Sequence, residues 1–358
     1  MKKFNIAVIF GGCSSEYKVS LESACSVIRN LNKEKYRPVL IGISKEGEWF
    51  YFTGDVAHIQ NDTWIGKDCV PAALSPERKE GGLLVFRESG VERITIDVAF
   101  PVLHGKNGED GTIQGLITLA GIPLAGCGVL ASALCMDKDR AHALAAVAGV
   151  CVPKARVFGA RSGIGVHECE KEMREFTQET GYPLFVKPVK AGSSFGVTKV
   201  AKPDNLKEAV ELAFLYDDQI ILEENIDGFE VGCAVLGNEE LTVGEVDEIE
   251  LSGGFFDFTE KYTLKTSAIH VPARISDEKK AEIQETAKVI YRALGCAGFA
   301  RVDMFLTPEG KIVFNEVNTI PGFTEHSRYP GMMKAAGYSF EEILEKIIEL
   351  ALEPFQDL

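Results

Sequence analysis

The sequence has no apolar run long enough to cross a membrane. A spanning helix needs about 18 or more consecutive apolar residues, and no stretch of this chain provides them. The apolar run at residues 6–10 is shorter than the ~7–15 residues of a secretory signal core, and no small-residue cleavage site follows it. We therefore expect a cytoplasmic protein with no membrane partner.

Paired cysteines and an excess of basic residues are also missing. The nine cysteines are odd in number and none forms a C-x-x-C motif, which argues against a disulfide framework or a zinc site and fits a reducing compartment. The 38 lysines and arginines are outnumbered by 53 aspartates and glutamates, so the net charge is −15. This balance argues against nucleic acid or an anionic membrane surface as a partner.

The sequence lacks the G-x-x-x-x-G-K-[ST] motif of P-loop nucleotidases. Residues 126–131 match G-x-G-x-x-A, but they follow a short segment in mid-chain and lack the acidic strand end of a dinucleotide site, so they predict a tight turn into a helix. Residues 192–196 match the G-x-S-x-G elbow of serine hydrolases, which needs a helix after it. The pattern predicts a strand there instead, and a serine hydrolase using Ser194 stays as a rival enzyme class.

What is present is a βαβ pattern at the start of a chain long enough for two or three domains. An apolar strand at residues 4–10, an amphipathic helix and a strand at 38–43 predict a doubly wound α/β domain. Residues 44–90 read as irregular, with short aromatic segments. A further buried strand is predicted at residues 97–103. Glu16 and His104 follow the carboxyl ends of predicted strands, where ligands bind in such folds.

The rest of the chain predicts mixed α+β structure. Residues 127–152 are rich in alanine and predict helix, and a capping box from Ser339 to Glu342 begins the last helix. A further helix at residues 278–294 ends at Gly295. The predicted strands lie at residues 184–188, 197–200, 219–223, 229–236 and 241–249.

Lys187 ends an apolar strand, where an ammonium group needs an anion. The loop at residues 190–196, Lys-Ala-Gly-Ser-Ser-Phe-Gly, offers backbone N–H groups and hydroxyls of the kind that hold phosphates. Residues 223–226 could bind adenine through backbone groups, with Glu230 reaching a ribose. The alternatives are a flexible hairpin turn for the loop and a solvated acidic turn for residues 223–226.

Residues 301–330 predict two strands joined by a Pro-Glu-Gly turn. Side chains alternate along a strand. The pattern therefore predicts that one face of the first strand carries Arg301, Asp303 and Phe305, and that one face of the second carries Phe314, Glu316 and Asn318. Two carboxylates buried together need a cation, and oxygen ligands of this kind suit Mg²⁺ better than zinc. The alternative is an ordinary surface salt bridge.

With these features together, the sequence resembles the ATP-grasp enzymes. Within them it is most similar to the D-alanine–D-alanine ligase family. The motifs that carry the resemblance span nearly the whole chain, at residues 11–23, 104–115, 136–138, 186–197, 260–262, 300–305 and 315–327. The resemblance implies an α/β ATP-grasp fold with a doubly wound N-terminal domain at residues 1–126. Two α+β subdomains, at residues 127–225 and 226–358, would enclose ATP.

The resemblance also implies roles for matching residues. The ATP site would comprise Lys138, Lys187, Ser194, Glu223, Glu224, Ile226, Glu230 and Phe305. Two Mg²⁺ (or Mn²⁺) ions would be held by Asp303, Glu316 and Asn318. Catalysis would use Glu16, Ser193, Tyr262, Arg301 and the backbone N–H of Gly322, the first three closing the active-site loop. The D-amino acid substrates would contact His104, Asp247, Phe256, Lys261, Ser327 and Arg328. The family also implies a homodimer.

Arg328 distinguishes branches of the family. Ordinary D-Ala–D-Ala ligases often have a small apolar residue there, whereas arginine resembles the vancomycin-resistance branch. The lactate-adding members replace the Lys261-Tyr262 pair, which this chain keeps, so it is similar to the D-Ala–D-Ser ligases of G type. The implied activity joins D-alanine to D-serine through D-alanyl phosphate for peptidoglycan precursors. The alternatives are a D-Ala–D-Ala ligase, an inactive ATP-grasp binding protein, and a surface ion pair for Arg328.

Overall fold

The computed structural model describes residues 3–79, 81–159, 166–192, 194–251 and 267–353. Its strands form three sheets of seven, four and five strands, and helices flank each sheet. The predicted mixture of α/β and α+β units is therefore confirmed. In these ranges no helix is both long enough and apolar enough to pass through a membrane.

The first sheet contains β1 (Phe4–Gly11), β2 (Tyr36–Ile43), β3 (Trp49–Phe52), β4 (Cys69–Ser75), β5 (Gly82–Arg87), β6 (Gly90–Ile94) and β7 (Val98–Pro101). Its order is β6-β5-β4-β3-β2-β1-β7. The helices of this unit are α1 (Tyr17–Asn30), α2 (Val56–Gln60) and α3 (Thr112–Leu119). β1 pairs in parallel with β2 and β7, which confirms the βαβ start.

The interpretation of residues 44–90 as irregular is wrong. Strands β3 to β6 extend the parallel centre as an antiparallel meander. Pro71 lies within β4, where it pairs with Phe50, and proline inside a run argues against a strand. β3 has only four residues, too few for alternation to be read from the sequence.

The second sheet contains β8 (Ala155–Gly159), β9 (Leu184–Pro188), β10 (Thr198–Val200) and β11 (Gln219–Glu224), in the order β10-β9-β11-β8. All of its pairings are antiparallel. The helices α6 (Val166–Thr180) and α7 (Leu206–Ala213) pack against this sheet, whereas α4 (Val129–Met136) and α5 (Lys138–Val147) pack against the third sheet. Because a strand, β10, follows the loop at residues 192–196, the chain does not form the strand–turn–helix elbow of a serine hydrolase.

The segment at residues 127–152 is helical as predicted, and it forms two helices. Asp137 stands between α4 and α5, and its side chain caps α5 by accepting a hydrogen bond from the N–H of Arg140. Gly126 has φ 121° and α4 begins at Val129, so the predicted turn into a helix is confirmed. The cap makes Lys138 the first residue of α5, facing the second sheet.

The third sheet contains β12 (Phe229–Leu236), β13 (Thr242–Leu251), β14 (Ser267–His270), β15 (Phe299–Leu306) and β16 (Ile312–Asn318), in the order β14-β13-β12-β15-β16. Its helices are α8 (Asp277–Ala293), α9 (Arg328–Ala335) and α10 (Phe340–Leu352). The capping box of Ser339 and Glu342 is present at α10, as predicted.

One hydrophobic core joins the first and third sheets. It contains buried residues of β1 and α1 together with residues of α9 and α10. At its centre Phe100 of β7 and Phe299 of β15 lie 6.1 Å apart between ring centroids, and Phe323 contacts both rings. This packing brings the end of β7 and the start of α1 against the chain that follows β16.

Candidate active site

A cleft of about 350 Å³ lies between the second and third sheets; we call it the nucleotide cleft. The structure brings together in its lining all eight residues predicted for ATP, namely Lys138, Lys187, Ser194, Glu223, Glu224, Ile226, Glu230 and Phe305. Aromatic and aliphatic side chains lie beside lysines in this wall. Such a mixture suits a flat heterocycle attached to phosphates.

Two lysines stand at one end of the nucleotide cleft. The Nζ of Lys187 lies 2.5 Å from the Oε1 of Glu223, and the two side chains are 9% and 2% exposed. The other carboxylate oxygen of Glu223 is buried and has no partner among the described residues. The Nζ of Lys138 donates to the carbonyl of Ala191 at 2.7 Å, which ties α5 to the Gly-Ser loop. A buried acceptor without a partner in the protein is expected to accept a hydrogen bond from a bound ligand.

The predicted metal ligands lie on paired strands. Asp303 of β15 pairs with Glu316 of β16, and Arg301 pairs with Asn318. Arg301 binds both oxygens of Asp303, at 2.8 Å from Nε and 2.7 Å from Nη2, and the amide of Asn318 lies 2.9 Å from the Oδ2. Mg²⁺ is commonly bound by one or two carboxylates together with substrate phosphates. Glu316 lines the nucleotide cleft, and with Asp303 and Asn318 it would supply oxygen ligands of this kind.

The prediction that Phe314 shares the face of Glu316 is wrong. A bulge shifts the register beyond Asp303, so that Met304 pairs with Phe314. Phe314 is fully buried in the core beneath the sheet, and Glu316 and Asn315 line the nucleotide cleft instead. A bulge inserts one residue and reverses the alternation beyond it, which a strict period of two does not foresee.

A second cavity of about 320 Å³ adjoins the nucleotide cleft; we call it the substrate cavity. Glu316 lines both spaces. The predicted site residues in its lining are Glu16, His104, Arg301, Glu316, Asn318, Gly322, Ser327 and Arg328. A carboxylate shared by the two spaces marks where a phosphoryl group could pass from one ligand to the other.

Glu16 lies at the start of α1 and against two glycines of other segments. A β-carbon placed on Gly105 would lie 2.2 Å from its Oε2, and one placed on Gly192 would lie 3.0 Å from it. Glycine at both positions therefore lets the carboxylate approach the backbone. The contact with Gly192 places Glu16 beside the Gly-Ser loop.

Four predicted site residues lie outside the described residues. They are Ser193, Phe256, Lys261 and Tyr262. Their assignment to the closing loop and the second substrate therefore stays a prediction.

His104 is buried at the end of β7, and both of its ring nitrogens have protein partners. Its Nδ1 lies 2.9 Å from the carbonyl oxygen of Ile320, and its Nε2 lies 3.1 Å from the Oγ of Ser23. Burial lowers the pKa of His104 to about 4, so the ring is neutral near pH 7. It borders the substrate cavity while holding two other segments together.

Glu109 is a site residue that the sequence reasoning missed. It lines the substrate cavity and accepts hydrogen bonds from the N–H groups of Gly105 and Ile320, at 2.8 and 3.2 Å. Burial and the nearby Glu16 carboxylate raise the pKa of Glu109 to about 8. Its place in a polar, glycine-rich loop after a buried strand was the available signal.

Arg328 is buried rather than a surface ion pair. It is 8% exposed, and its Nε and Nη2 donate to the two oxygens of Asp247 at 2.7 and 2.8 Å. Its Nη1 donates to Glu230 at 2.6 Å, so a carboxylate predicted to reach ribose is already engaged. Asp247 is fully buried behind Arg328. The pair forms a rigid polar wall between the two spaces.

Two family models match the chain. One, described as the D-ala D-ala ligase N-terminus, matches residues 5–127, and the other, the D-ala D-ala ligase C-terminus, matches residues 144–349. A crystal structure titled VanG D-Ala:D-Ser ligase from Enterococcus faecalis is similar, with a TM-score of 0.89 and 56% sequence identity. That match covers 98% of this chain and 100% of the other.

Curated relatives of several kinds are similar over the whole chain. The vancomycin/teicoplanin A-type resistance protein VanA of Enterococcus faecium is 47% identical over 99% of this chain and 100% of its own length. A D-alanine–D-alanine ligase of Caldicellulosiruptor bescii is 42% identical over 99% of this chain and 96% of its own.

Proposed function

The chain belongs to the D-alanine–D-alanine ligase family, and on this basis we propose that it joins D-alanine to D-serine. Its fold is the ATP-grasp fold of those enzymes, and it is an ATP-dependent ligase that forms peptide bonds. The proposal concerns the acceptor. We also propose that the product is used for peptidoglycan precursors that confer vancomycin resistance. The enzyme would act as a homodimer in the cytoplasm.

The observation that carries the D-serine proposal is the Arg328–Asp247 pair, whose guanidinium group lines the substrate cavity while Asp247 is buried behind it. An apolar wall would suit the methyl group of D-alanine, whereas a fixed guanidinium–carboxylate pair suits a side chain that can hydrogen-bond. A site built to bond a substrate hydroxyl can reject an analogue without it by ~10⁴-fold or more. The similarity to a D-Ala:D-Ser ligase structure supports the same choice.

The reaction has two steps in this proposal. The D-alanine carboxylate attacks the γ-phosphorus of ATP, which gives D-alanyl phosphate and ADP. The amine of D-serine then attacks the acyl carbon, so that a C–N bond forms and the C–O bond to phosphate breaks. The nucleophilic amine must lose a proton, and water must be kept from the acyl phosphate.

The residues of the site divide these tasks. Lys138 and Lys187 hold the ATP phosphates, and Glu16 binds the ammonium group of the first D-alanine. Arg301 and the N–H of Gly322 stabilise the oxyanion that forms at the acyl carbon. Two Mg²⁺ (or Mn²⁺) ions, held by Asp303, Glu316 and Asn318, would neutralise charge on the phosphate oxygens.

A competition assay tests the acceptor. The enzyme is given ATP, Mg²⁺, D-alanine as donor, and equal concentrations of isotopically distinct D-alanine, D-serine and D-lactate as acceptors. We expect D-Ala–D-Ser to exceed the other products at least tenfold by mass spectrometry. If D-Ala–D-Ala dominates, the alternative within the family is correct, and a dominant D-Ala–D-lactate product would also contradict the proposal.

A further inference from the structure

The turn at residues 319–323, which follows β16, is held from the first sheet's side by three polar residues. Ser23 lies on α1, whereas His104 and Glu109 lie in the loop after β7. We call Ser23, His104 and Glu109 the turn clamp. The carboxylate of Glu109 accepts from the N–H of Ile320 at 3.2 Å and from the N–H of Gly105 at 2.8 Å, so it bridges the loop and the turn.

The other contacts of the clamp form a series of hydrogen bonds in which each donor can be assigned. Phe323 donates its N–H to the Oγ of Ser23 at 3.1 Å. The carbonyl of Ile320 can only accept, so the His104 Nδ1 carries the proton of that 2.9 Å bond. In the neutral ring Nε2 is then an acceptor, and it receives the Ser23 hydroxyl proton across 3.1 Å. Every donor in this series of hydrogen bonds has an acceptor.

The clamp fixes both sides of the dipeptide Pro321-Gly322. Proline has no N–H, and the N–H groups of Ile320 and Phe323 are already engaged by Glu109 and Ser23. The N–H of Gly322 makes no hydrogen bond within the described ranges of the chain. The Gly322 N–H is therefore available to a ligand, and Gly322, unlike Thr319 of the same turn, lines the substrate cavity.

We propose that Ser23, His104 and Glu109 are positioning residues that fix the Gly322 N–H for attack of the acceptor amine on D-alanyl phosphate. This inference rests on the proposed role of Gly322 as an oxyanion donor. Oxyanion stabilisation depends on donors held in place before the reaction, and a turn fixed at both ends meets that need. His104 then serves catalysis through the turn rather than by binding substrate.

Ser23 provides the cleanest test because it cannot act by touching substrate. Its side chain is fully buried, and it does not belong to the lining of the substrate cavity. We would compare Ser23→Ala with Ser132→Ala, a fully buried serine on α4 whose hydroxyl bonds the carbonyl of Cys127. Glu109→Gln is the second variant, because it replaces one of the two accepting oxygens with a donating NH₂ group while leaving the size nearly unchanged.

Two rates are measured for each variant. Steady-state kinetics give kcat for dipeptide formation and KM for ATP and D-alanine. Positional isotope exchange in oxygen-18-labelled ATP, with D-alanine present, reports reversible formation of D-alanyl phosphate. Since outright removal of an oxyanion donor costs ~10²–10³ in rate, we expect a displaced donor to lower kcat about tenfold in Ser23→Ala and Glu109→Gln.

The ratio of isotope exchange to net turnover separates positioning from loss of structure. We expect that ratio to rise about tenfold in both clamp variants, with KM values within about twofold of wild type, and to be unchanged in Ser132→Ala. Unchanged kcat in the clamp variants, or exchange that falls in parallel with turnover, would overturn the inference. If the wild-type protein shows neither exchange nor dipeptide, it is the proposed function that fails.

Discussion

Arg328 is a single residue that we expect to affect both the choice of acceptor and the stability of the fold. It neutralises Asp247, which is fully buried, and it also contacts Glu230 and Asp303. Removal of one partner of a buried ion pair leaves an uncompensated charge and typically costs ~3–5 kcal/mol. A substitution meant to change specificity will therefore also destabilise the fold unless Asp247 is changed with it.

We predict that Arg328→Leu combined with Asp247→Asn shifts preference from D-serine toward D-alanine. The double variant removes the polar wall without leaving the fully buried Asp247 carboxylate charged and unpaired, so it should be more stable to urea than Arg328→Leu alone. The ratio of kcat/KM for D-serine to that for D-alanine should fall at least tenfold. An unaltered ratio in a folded double variant would contradict the assignment of Arg328 to the acceptor.

His104 gives a prediction about pH. Burial lowers its pKa from 6.5 to about 4 in the folded protein. Between these values the unfolded chain binds a proton that the folded protein does not, so the free energy of unfolding falls as pH falls from 6.5 toward 4. The slope is about 1.4 kcal/mol per pH unit for a single group.

The His104→Asn variant isolates this contribution. Arg301, whose charge acts on His104, is common to both proteins, as are Glu16 and Glu109, which line the same cavity. Glu109 has an opposite pH dependence because its pKa is raised. Wild type should be the more stable protein at pH 7, and its advantage over His104→Asn in urea unfolding should shrink toward pH 4. If the difference in unfolding free energy between the two proteins did not change with pH, His104 would have the same pKa in the folded and unfolded states.

At the scale of elements, the hairpin of β15 and β16 carries the proposed metal chemistry. We predict that Glu316→Gln raises the Mg²⁺ concentration needed for half-maximal activity at least tenfold, because an amide is a much weaker ligand for Mg²⁺ than a carboxylate. Glu309→Gln is the matched control, since Glu309 lies exposed in the turn of the same hairpin. Equal Mg²⁺ dependence in the two variants would count against the metal assignment.

The elements that could be predicted are those whose signal is local. The parallel strands beside α1, the capping box of α10 and the lysine-ended β9 follow from short segments of sequence. The bulge opposite Asp303 could not be foreseen, because it depends on how two strands pair. Glu109 was missed for a related reason. Its partner, the N–H of Ile320, lies 211 residues away and belongs to the backbone, which carries no mark in the sequence.

For the whole molecule, the structure ties together regions that are distant in sequence. The division into residues 1–126, 127–225 and 226–358 stays a prediction. However, the core that joins the first and third sheets implies that these two regions depend on each other for stability. The substrate cavity lies along the same junction, so the packing that stabilises the molecule also sets the distance between Glu16 and Arg301.

Phe323 lies at the centre of that junction and allows the dependence to be tested. Its ring is 1% exposed and contacts Phe100, Phe299 and Tyr329. We predict that Phe323→Ala lowers the free energy of unfolding by about 3–5 kcal/mol, whereas Phe86→Ala, at a ring 46% exposed on β5, changes it by less than about 0.5 kcal/mol.

The same variant tells whether the first and third regions unfold as one unit. If they share a core, Phe323→Ala should move the urea midpoint of the fluorescence of Trp64. Trp64 lies in the first region at the far side of that core, where its ring contacts Phe10, Phe50 and Phe52. Loss of the Phe323 ring should also lower kcat, since the ring anchors the turn that presents Gly322 against Phe100 and Phe299. An unshifted Trp64 transition would show instead that the first region is stable on its own and that the junction forms after folding.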